Sequence, residues 1–304
     1  MTAGFEGYLL YLRAKGYTEG TIRWQRCDLQ AFQAYLNQQG ILGFNSVTPE
    51  TIQTYLMQLK KRQLSPRTRG AHLSAIKGLF SYLAQQGLAT TIDPAAGIES
   101  PKPIATLPEV PTEAEILQLL AVPDLRTPIG IRDRAILELL YSSGIRRQEL
   151  INLNLSDVDM ENGYLQVIQG KNHKDRMVPI GDTALKFVEA YLKLVRWWFL
   201  RDPGERALFI DSAKGNRLSP QTIKHIVAKT IRKTGITKKV TPHTLRHAMA
   251  THLLRNQADI RHIQMMLGHA SVATTEIYTQ LAIDGLKAVC RRAHPHGRRD
   301  SIPD

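Results

Sequence analysis

The sequence predicts a mainly α-helical chain in two domains, with one small β-hairpin or sheet set into the second. Three observations carry that expectation. Residues 1–92 show helical apolar stripes behind capping signals and no alternating stretch. Residues 93–111, DPAAGIESPKPIATLPEVP, hold five prolines in nineteen residues and suit neither helix nor strand, so they read as a linker. Residues 112–304 return to helical periodicity but contain one pair of short apolar runs around a polar loop.

In the first domain, residues 5–15 form a short helix. Thr18 caps a second, whose stripe of Ile22, Leu29, Phe32, Tyr35 and Leu36 ends at Gly40. Thr48-Pro49-Glu50 places a cap before a first-turn proline and opens a third helix to about Arg62. Ser65-Pro66 opens a fourth, with Leu73, Ile76, Phe80 and Leu83 on one face and Gly87 at its end. The other face of that helix carries Arg67, Thr68, Arg69, Ser74 and Lys77, small or basic donors suited to a major groove.

In the second domain, Thr112 with Glu115 makes a capping box. Pro128 to Ser143 is an apolar helix that Gly144 breaks, and Arg146 starts the next, with Glu149 three residues on as its carboxylate partner. YLQVI (164–168) and RMVPI (176–180) form a β-hairpin around a polar loop that holds Lys171 and Lys174. A helix over 183–200, a short buried segment at 208–210 and a lysine-rich helix from Ser219-Pro220 to about Thr234 follow. The last helix runs from about Ile283 to Cys290, before a loose tail.

Composition narrows the partners. The chain has 304 residues, 40 Lys and Arg against 27 Asp and Glu, and a formal net charge of +13. The charge is uneven. Residues 51–92 contain no acid yet hold six Lys or Arg, and residues 212–258 contain none and hold ten, among them Lys224, Lys238 and Lys239. Ordinary solvated faces mix signs. Two acid-free basic stretches, one per domain, suit two jaws on one nucleic-acid duplex. A membrane surface is the rival polyanion, but no apolar run approaches a spanning length. The first residues lack a charged leader before an apolar core, so no signal peptide is expected. Cys27 and Cys290 form no CxxC, which argues against a disulfide framework or a zinc site and for a reducing cytoplasm.

The stretch from Thr241 to Tyr278 gathers the chemistry. His243 and Arg246 stand three apart on one helix face, and the arginine's planar fork matches two phosphate oxygens. Gly268 marks a helix end beside His269, and Tyr278 falls nine residues later. Each is ordinary alone: a lone tyrosine at a helix end is usually a surface residue. The joint pattern, HxxR then LGH then Tyr, resembles the C-terminal signature of the tyrosine recombinases, the phage integrase family. Together with IRDRAILELLYSSGIRRQEL and KDRMVPIG, the similarity extends over nearly the whole chain and is nearest to the bacterial Xer type, XerC and XerD. Ile145, Arg147 and Gln148 depart from the residues frequent there, and the hairpin holds one extra residue before Lys171.

The resemblance implies a helical SAM-like core-binding domain over 1–92 and a catalytic domain over 112–304, closing on DNA as a C-shaped clamp. It implies catalytic roles for Arg146, Lys171, His243, Arg246, His269 and Tyr278, with Glu149 in support and Lys174 as the alternative lysine. Arg67, Arg69, Lys77, Lys224, Lys238 and Lys239 are the expected DNA contacts. The implied reaction is site-specific recombination through a 3′-phosphotyrosine and a Holliday junction, with no cofactor and no metal. The implied partner is double-stranded DNA with specific recombination sites, bound by a homotetramer or heterotetramer on two sites, with a second recombinase or an accessory protein left open. Chromosome dimer resolution and mobile-element integration or excision use the same core. Type IB topoisomerase-like strand passage and a non-catalytic DNA-binding regulator are the competing readings. The final helix, with Leu281, Ile283, Leu286 and Val289 on one face, is expected to find little of its own domain to bury against and to pass to a neighbouring protomer.

Overall fold

The structure, a computed structural model, describes residues 1–88, 93–102, 109–168, 175–268 and 280–295. The chain divides into two compact units, Met1–Leu107 and Pro108–Asp304.

The first unit is built on α1 (Thr2–Ala14), α2 (Glu19–Gln38), α3 (Pro49–Lys61) and α4 (Pro66–Gln85). The side chains of Thr18, Thr48 and Ser65 each accept a hydrogen bond from the backbone N–H three residues on, which starts α2, α3 and α4 where the sequence places their caps. The apolar stripes converge on one core that includes Ile22, Phe32, Leu36, Ile52, Leu73, Ile76 and Phe80. A buried polar contact crosses it: the Tyr55 hydroxyl lies 3.0 Å from His72 Nδ1, and His72 Nε2 lies 3.5 Å from Asp28. The proline-rich stretch is not free at its described ends. Ala95 and Ile98 are buried in the first core, and the Pro111 carbonyl lies 2.9 Å from Nε2 of the buried His252 in the second unit.

The second unit comprises α5 (Glu113–Ala121), α6 (Pro128–Ser143), α7 (Arg147–Asn152), β1 (Val158–Asp159), β2 (Tyr164–Val167), β3 (Arg176–Pro179), α8 (Asp182–Leu194), α9 (Arg196–Phe199), α10 (Pro220–Ile231), α11 (Pro242–Arg255), α12 (Ile260–Leu267) and α13 (Gln280–Ala293). Helices α3, α4, α6, α10 and α11 all begin with a proline directly behind a Ser or Thr cap, so one local device sets five helix starts. Helix α6 is buried along most of its length and packs on α8 and α11. The hairpin gains a third strand that the sequence did not announce: the antiparallel order is β1-β2-β3, with Tyr164 opposite Pro179 and Val167 opposite Arg176.

Three expectations are corrected. The helix expected over 183–200 breaks at Val195 into α8 and α9. The break turns the buried Arg196 guanidinium onto the carbonyls of Glu205, Ala207 and Leu208, at 2.7–3.3 Å. The final helix does find a surface in its own unit. Leu286, Val289, Cys290 and Ala293 are buried, Asn256 Nδ2 donates to the Ala293 carbonyl at 2.8 Å, and Lys287 Nζ donates to the Asn162 carbonyl. His294, expected in a loose tail, is buried with its ring 4.8 Å from that of Tyr141.

Helix α6 ends at Gly144 in the left-handed region, φ +60°. A Cβ there would stand 1.9 Å from the methyl of Met249, which is fully buried and has to repack. Gly235, φ +69°, has nothing within 4 Å of its Cβ position. Gly144→Ala should therefore destabilise the second unit by about 2–3 kcal/mol in urea unfolding, against about 1 kcal/mol for Gly235→Ala; equal losses would refute the packing argument.

Candidate active site

The reversal at Gly144 delivers Arg146. Ile145 is fully buried and pins the turn, and Arg146 caps α7 with an extended backbone. Three residues on, Glu149 receives both the Arg146 backbone N–H, at 2.7 Å, and its guanidinium, at 2.8 Å. The same carboxylate receives a second guanidinium. Arg176, the first residue of β3, donates to both Glu149 oxygens at 3.1 and 2.8 Å, and its Nε donates to the Met266 carbonyl at 3.0 Å. The Arg176 side chain is 2% exposed, whereas that of Arg146 is 41% exposed. Arg146 thus faces solvent with its back held, and Arg176 does not.

Arg246 comes from α11. Its Nη1 donates to the Gly144 carbonyl at 2.5 Å and its Nη2 to the Leu267 carbonyl at 2.6 Å. Both acceptors lie at helix C-termini, where unpaired carbonyls favour a cation. One guanidinium therefore clasps the ends of α6 and α12, each closed by a left-handed glycine, Gly144 or Gly268. His243 lies one turn earlier on α11, behind the Thr241 cap, and is exposed.

The electrostatics are those of an anion site. Burial alone would raise the Glu149 carboxyl, but the hydrogen bonds and charge of Arg176, with the Arg146 N–H and guanidinium, overbalance it and hold it at about 2. Burial and the positive charges of Arg146 and Arg176 draw Arg246 down to about 10, with Glu149 opposing them. It stays charged at neutral pH. Two guanidiniums on the Glu149 carboxylate and a third held only by carbonyls leave a surplus of positive charge beside an exposed histidine. A guanidinium also has more N–H donors than the two bonds of Arg246 use, so donors are left for an incoming oxyanion. Among the described residues, no cluster of three His, Cys, Asp or Glu side chains is placed to hold a metal ion.

The structure brings Arg146, Glu149, His243 and Arg246 to one region. Lys171, Lys174, His269 and Tyr278 lie outside the described residues. Arg176 was not singled out from the sequence. Its signal was an arginine opening an otherwise apolar strand, which needs a carboxylate when buried. Of the expected DNA contacts, Arg67, Lys224 and Lys239 are exposed, and Arg69 and Lys77 are half-buried on α4. Lys238 is part-exposed, and its Nζ lies 2.7 Å from Glu115 of its own unit, the carboxylate that also caps α5. Lys224, His225, Arg232, Lys238 and Lys239 line an open groove beside α10. No helix among the described residues is long and apolar enough to cross a membrane.

The phage integrase family profile matches residues 109–284, and the profile of the phage integrase N-terminal SAM-like domain matches residues 5–87. Tyrosine recombinase XerD of Staphylococcus haemolyticus is 36% identical over 291 residues, 95% of this chain and 98% of that protein. Tyrosine recombinase XerC of Myxococcus xanthus is 39% identical over 284 residues, 92% of this chain and 93% of that protein. Among solved structures, the XerH site-specific recombinase bound to a palindromic difH substrate in a post-cleavage complex superposes with a TM-score of 0.68 at 25% identity, over 88% of this chain and 78% of that one.

The lowered pKa of Glu149 has a stability consequence of fixed sign. Folding lowers it from about 4.5 to about 2, so its contribution is complete above about pH 4.5 and is lost as pH falls toward 2. The shift corresponds to roughly 3 kcal/mol. The stability difference between the native protein and Glu149→Gln, measured by urea unfolding, should be largest above pH 5 and shrink steadily toward pH 3. A difference independent of pH would refute it.

Proposed function

The chain belongs to the phage integrase family of tyrosine recombinases, and on that premise we propose that it is a site-specific DNA recombinase that cuts and rejoins DNA through a 3′-phosphotyrosine intermediate. The observation that carries the reading is the arginine pair. Arg146 is backed by the Glu149 carboxylate and Arg246 by two helix-end carbonyls, an arrangement that suits the two non-bridging oxygens of a phosphodiester. The strand-passage and regulator readings are not favoured, since relatives at 36–39% identity over 92–95% of the chain are named tyrosine recombinases.

The chemistry follows from the residues. The Tyr278 hydroxyl attacks phosphorus, an O–P bond forms, and the bond to the 5′ oxygen breaks. Arg146 and Arg246 neutralise the charge that grows on the non-bridging oxygens. Lys171, in the loop between β2 and β3, gives the leaving 5′ oxygen its proton, with Lys174 as the alternative. His243 and His269 hold the phosphate and take up the proton that the Tyr278 hydroxyl loses as the O–P bond forms, and Glu149 keeps Arg146 in place. The phosphotyrosine ester retains the energy of the broken bond, so rejoining needs no nucleotide cofactor. Exposed Arg67 on α4, and Lys224 and Lys239 in the second unit, are basic positions suited to phosphate contacts on a duplex. A homotetramer or heterotetramer on two sites, in the cytoplasm, completes the proposal, with α13 exchanged between protomers. The surface it would meet in a neighbour is the one it covers here. Xer-like chromosome dimer resolution and mobile-element integration or excision draw on this same chemistry.

Two experiments test it, on a nicked duplex selected from a random-sequence pool by binding to the native chain. Tyr278→Phe should form no covalent complex while its duplex affinity stays within about threefold of native, since one hydroxyl is lost and the basic surface is kept; covalent complex at native levels would overturn the assignment. Lys171→Ala should slow cleavage of the ordinary strand by about 10²-fold or more, but not of one with a 5′-bridging sulfur, because a thiolate leaves without a general acid. Rescue of Lys174→Ala and not of Lys171→Ala would move the role to Lys174.

A further inference from the structure

We propose that Arg176 is the positioning residue of this site: it fixes the Glu149 carboxylate against which Arg146 is set, and it ties the start of β3 to the end of α12. The inference rests on the recombinase reading above.

Glu149 meets Arg176 as a fork on a fork, through both carboxylate oxygens, at 3.1 and 2.8 Å. A bidentate pair sets the plane of the carboxylate as well as its place. Of the two arginines on that carboxylate, Arg176 is the immobile one, 2% exposed against 41% for Arg146. The direction in which Arg146 presents its remaining donors therefore depends on Arg176. The third nitrogen carries the same constraint elsewhere, since Nε donates to the Met266 carbonyl at 3.0 Å. The end of α12 also closes directly over this guanidinium. A Cβ at Gly268 would stand 3.0–3.2 Å from Arg176 Cδ, Nε and Cζ, and the backbone there has φ +64°. One side chain thus touches α7 and the terminus of α12 from the first residue of β3. From those two edges the chain departs to Lys171, five residues before Arg176, and to His269, next after Gly268.

A lysine cannot replace this. Its single ammonium reaches the carboxylate or the carbonyl, but it does not present the planar fork. Nor does Arg176 serve as a further phosphate ligand, because its donors point inward and its surface is covered. A buried guanidinium beside two others is costly in itself. What it secures is the geometry of the neighbour that does face the substrate.

The test uses the full chain on the selected duplex, with either an ordinary or a methylphosphonate scissile linkage. The methylphosphonate lacks the charge that Arg146 neutralises, so a defect in placing Arg146 shrinks on it. A general loss of structure does not. Arg146→Ala should slow covalent-complex formation by about 10²–10³-fold on phosphate and much less on methylphosphonate. Arg176→Lys should slow it by about 10–100-fold on phosphate, keep duplex affinity within about threefold, and recover at least tenfold of the loss on methylphosphonate. Gly268→Ala, which presses on Arg176 without removing it, should show the same pattern more weakly, and it stands in for Arg176→Lys if that variant does not fold. Native cleavage rates in Arg176→Lys, or equal slowing on both linkages, would overturn the proposal while leaving the recombinase reading intact. Native rates in Arg146→Ala would instead overturn that reading, and this proposal with it.

Discussion

A site built to receive a phosphate has to hold together before the phosphate arrives. Mutual repulsion among Arg146, Arg176 and Arg246 is the constraint that the second unit is organised to meet. Its answers are distributed. Glu149 takes two of the guanidiniums. The third has no share in that carboxylate's described hydrogen bonds and is held by two helix-end carbonyls, those of Gly144 and Leu267. Partial charges at helix termini thus do for Arg246 what a full charge does for its neighbours. A carbonyl stabilises the cation without cancelling it, so the surplus that attracts an oxyanion survives.

The glycines belong to the same solution. A helix that stopped in ordinary right-handed geometry would spend its last carbonyls in the next turn or in water. The left-handed closures at Gly144 and Gly268 turn the chain sharply and leave the carbonyls beside them open to one guanidinium. Fold and site are therefore not separable layers here. The residues that end α6 and α12 are also the ones that seat Arg246.

Much of this was legible in the sequence because it is written locally. Thr48-Pro49, Ser65-Pro66 and Ser219-Pro220 announce helix starts by the chemistry of two adjacent residues, and the structure places α3, α4 and α10 there. Arg146 and Glu149 were readable together because they sit three apart across a cap. Arg176 was not, because its partner lies 27 residues away in sequence and an arginine at the edge of a strand looks like any surface cation. The break at Val195 was hidden for a similar reason. The pull on Arg196 comes from carbonyls on a later loop, while the local periodicity runs on unbroken. Lys238 has a partner that the sequence hides in the same way: its ammonium meets Glu115, more than a hundred residues earlier, while the side chain stays part-exposed in the basic groove. Composition counts charges, but only the fold decides which of them reach solvent.

The docking of α13 on its own unit carries a kinetic consequence for any assembly that exchanges it. Tethered beside its seat, the helix is present there at a local concentration in the millimolar range, typical of a short intramolecular connection. A copy from another protomer free in dilute solution cannot compete with that. A neighbour aligned on the same DNA competes on nearly equal terms, because the duplex supplies a similar local concentration. The buried Leu286, Val289 and Ala293 would then act as a proximity gate. In such an assembly they would keep single protomers self-contained and would make any exchange sensitive to how closely two binding sites are spaced along the duplex.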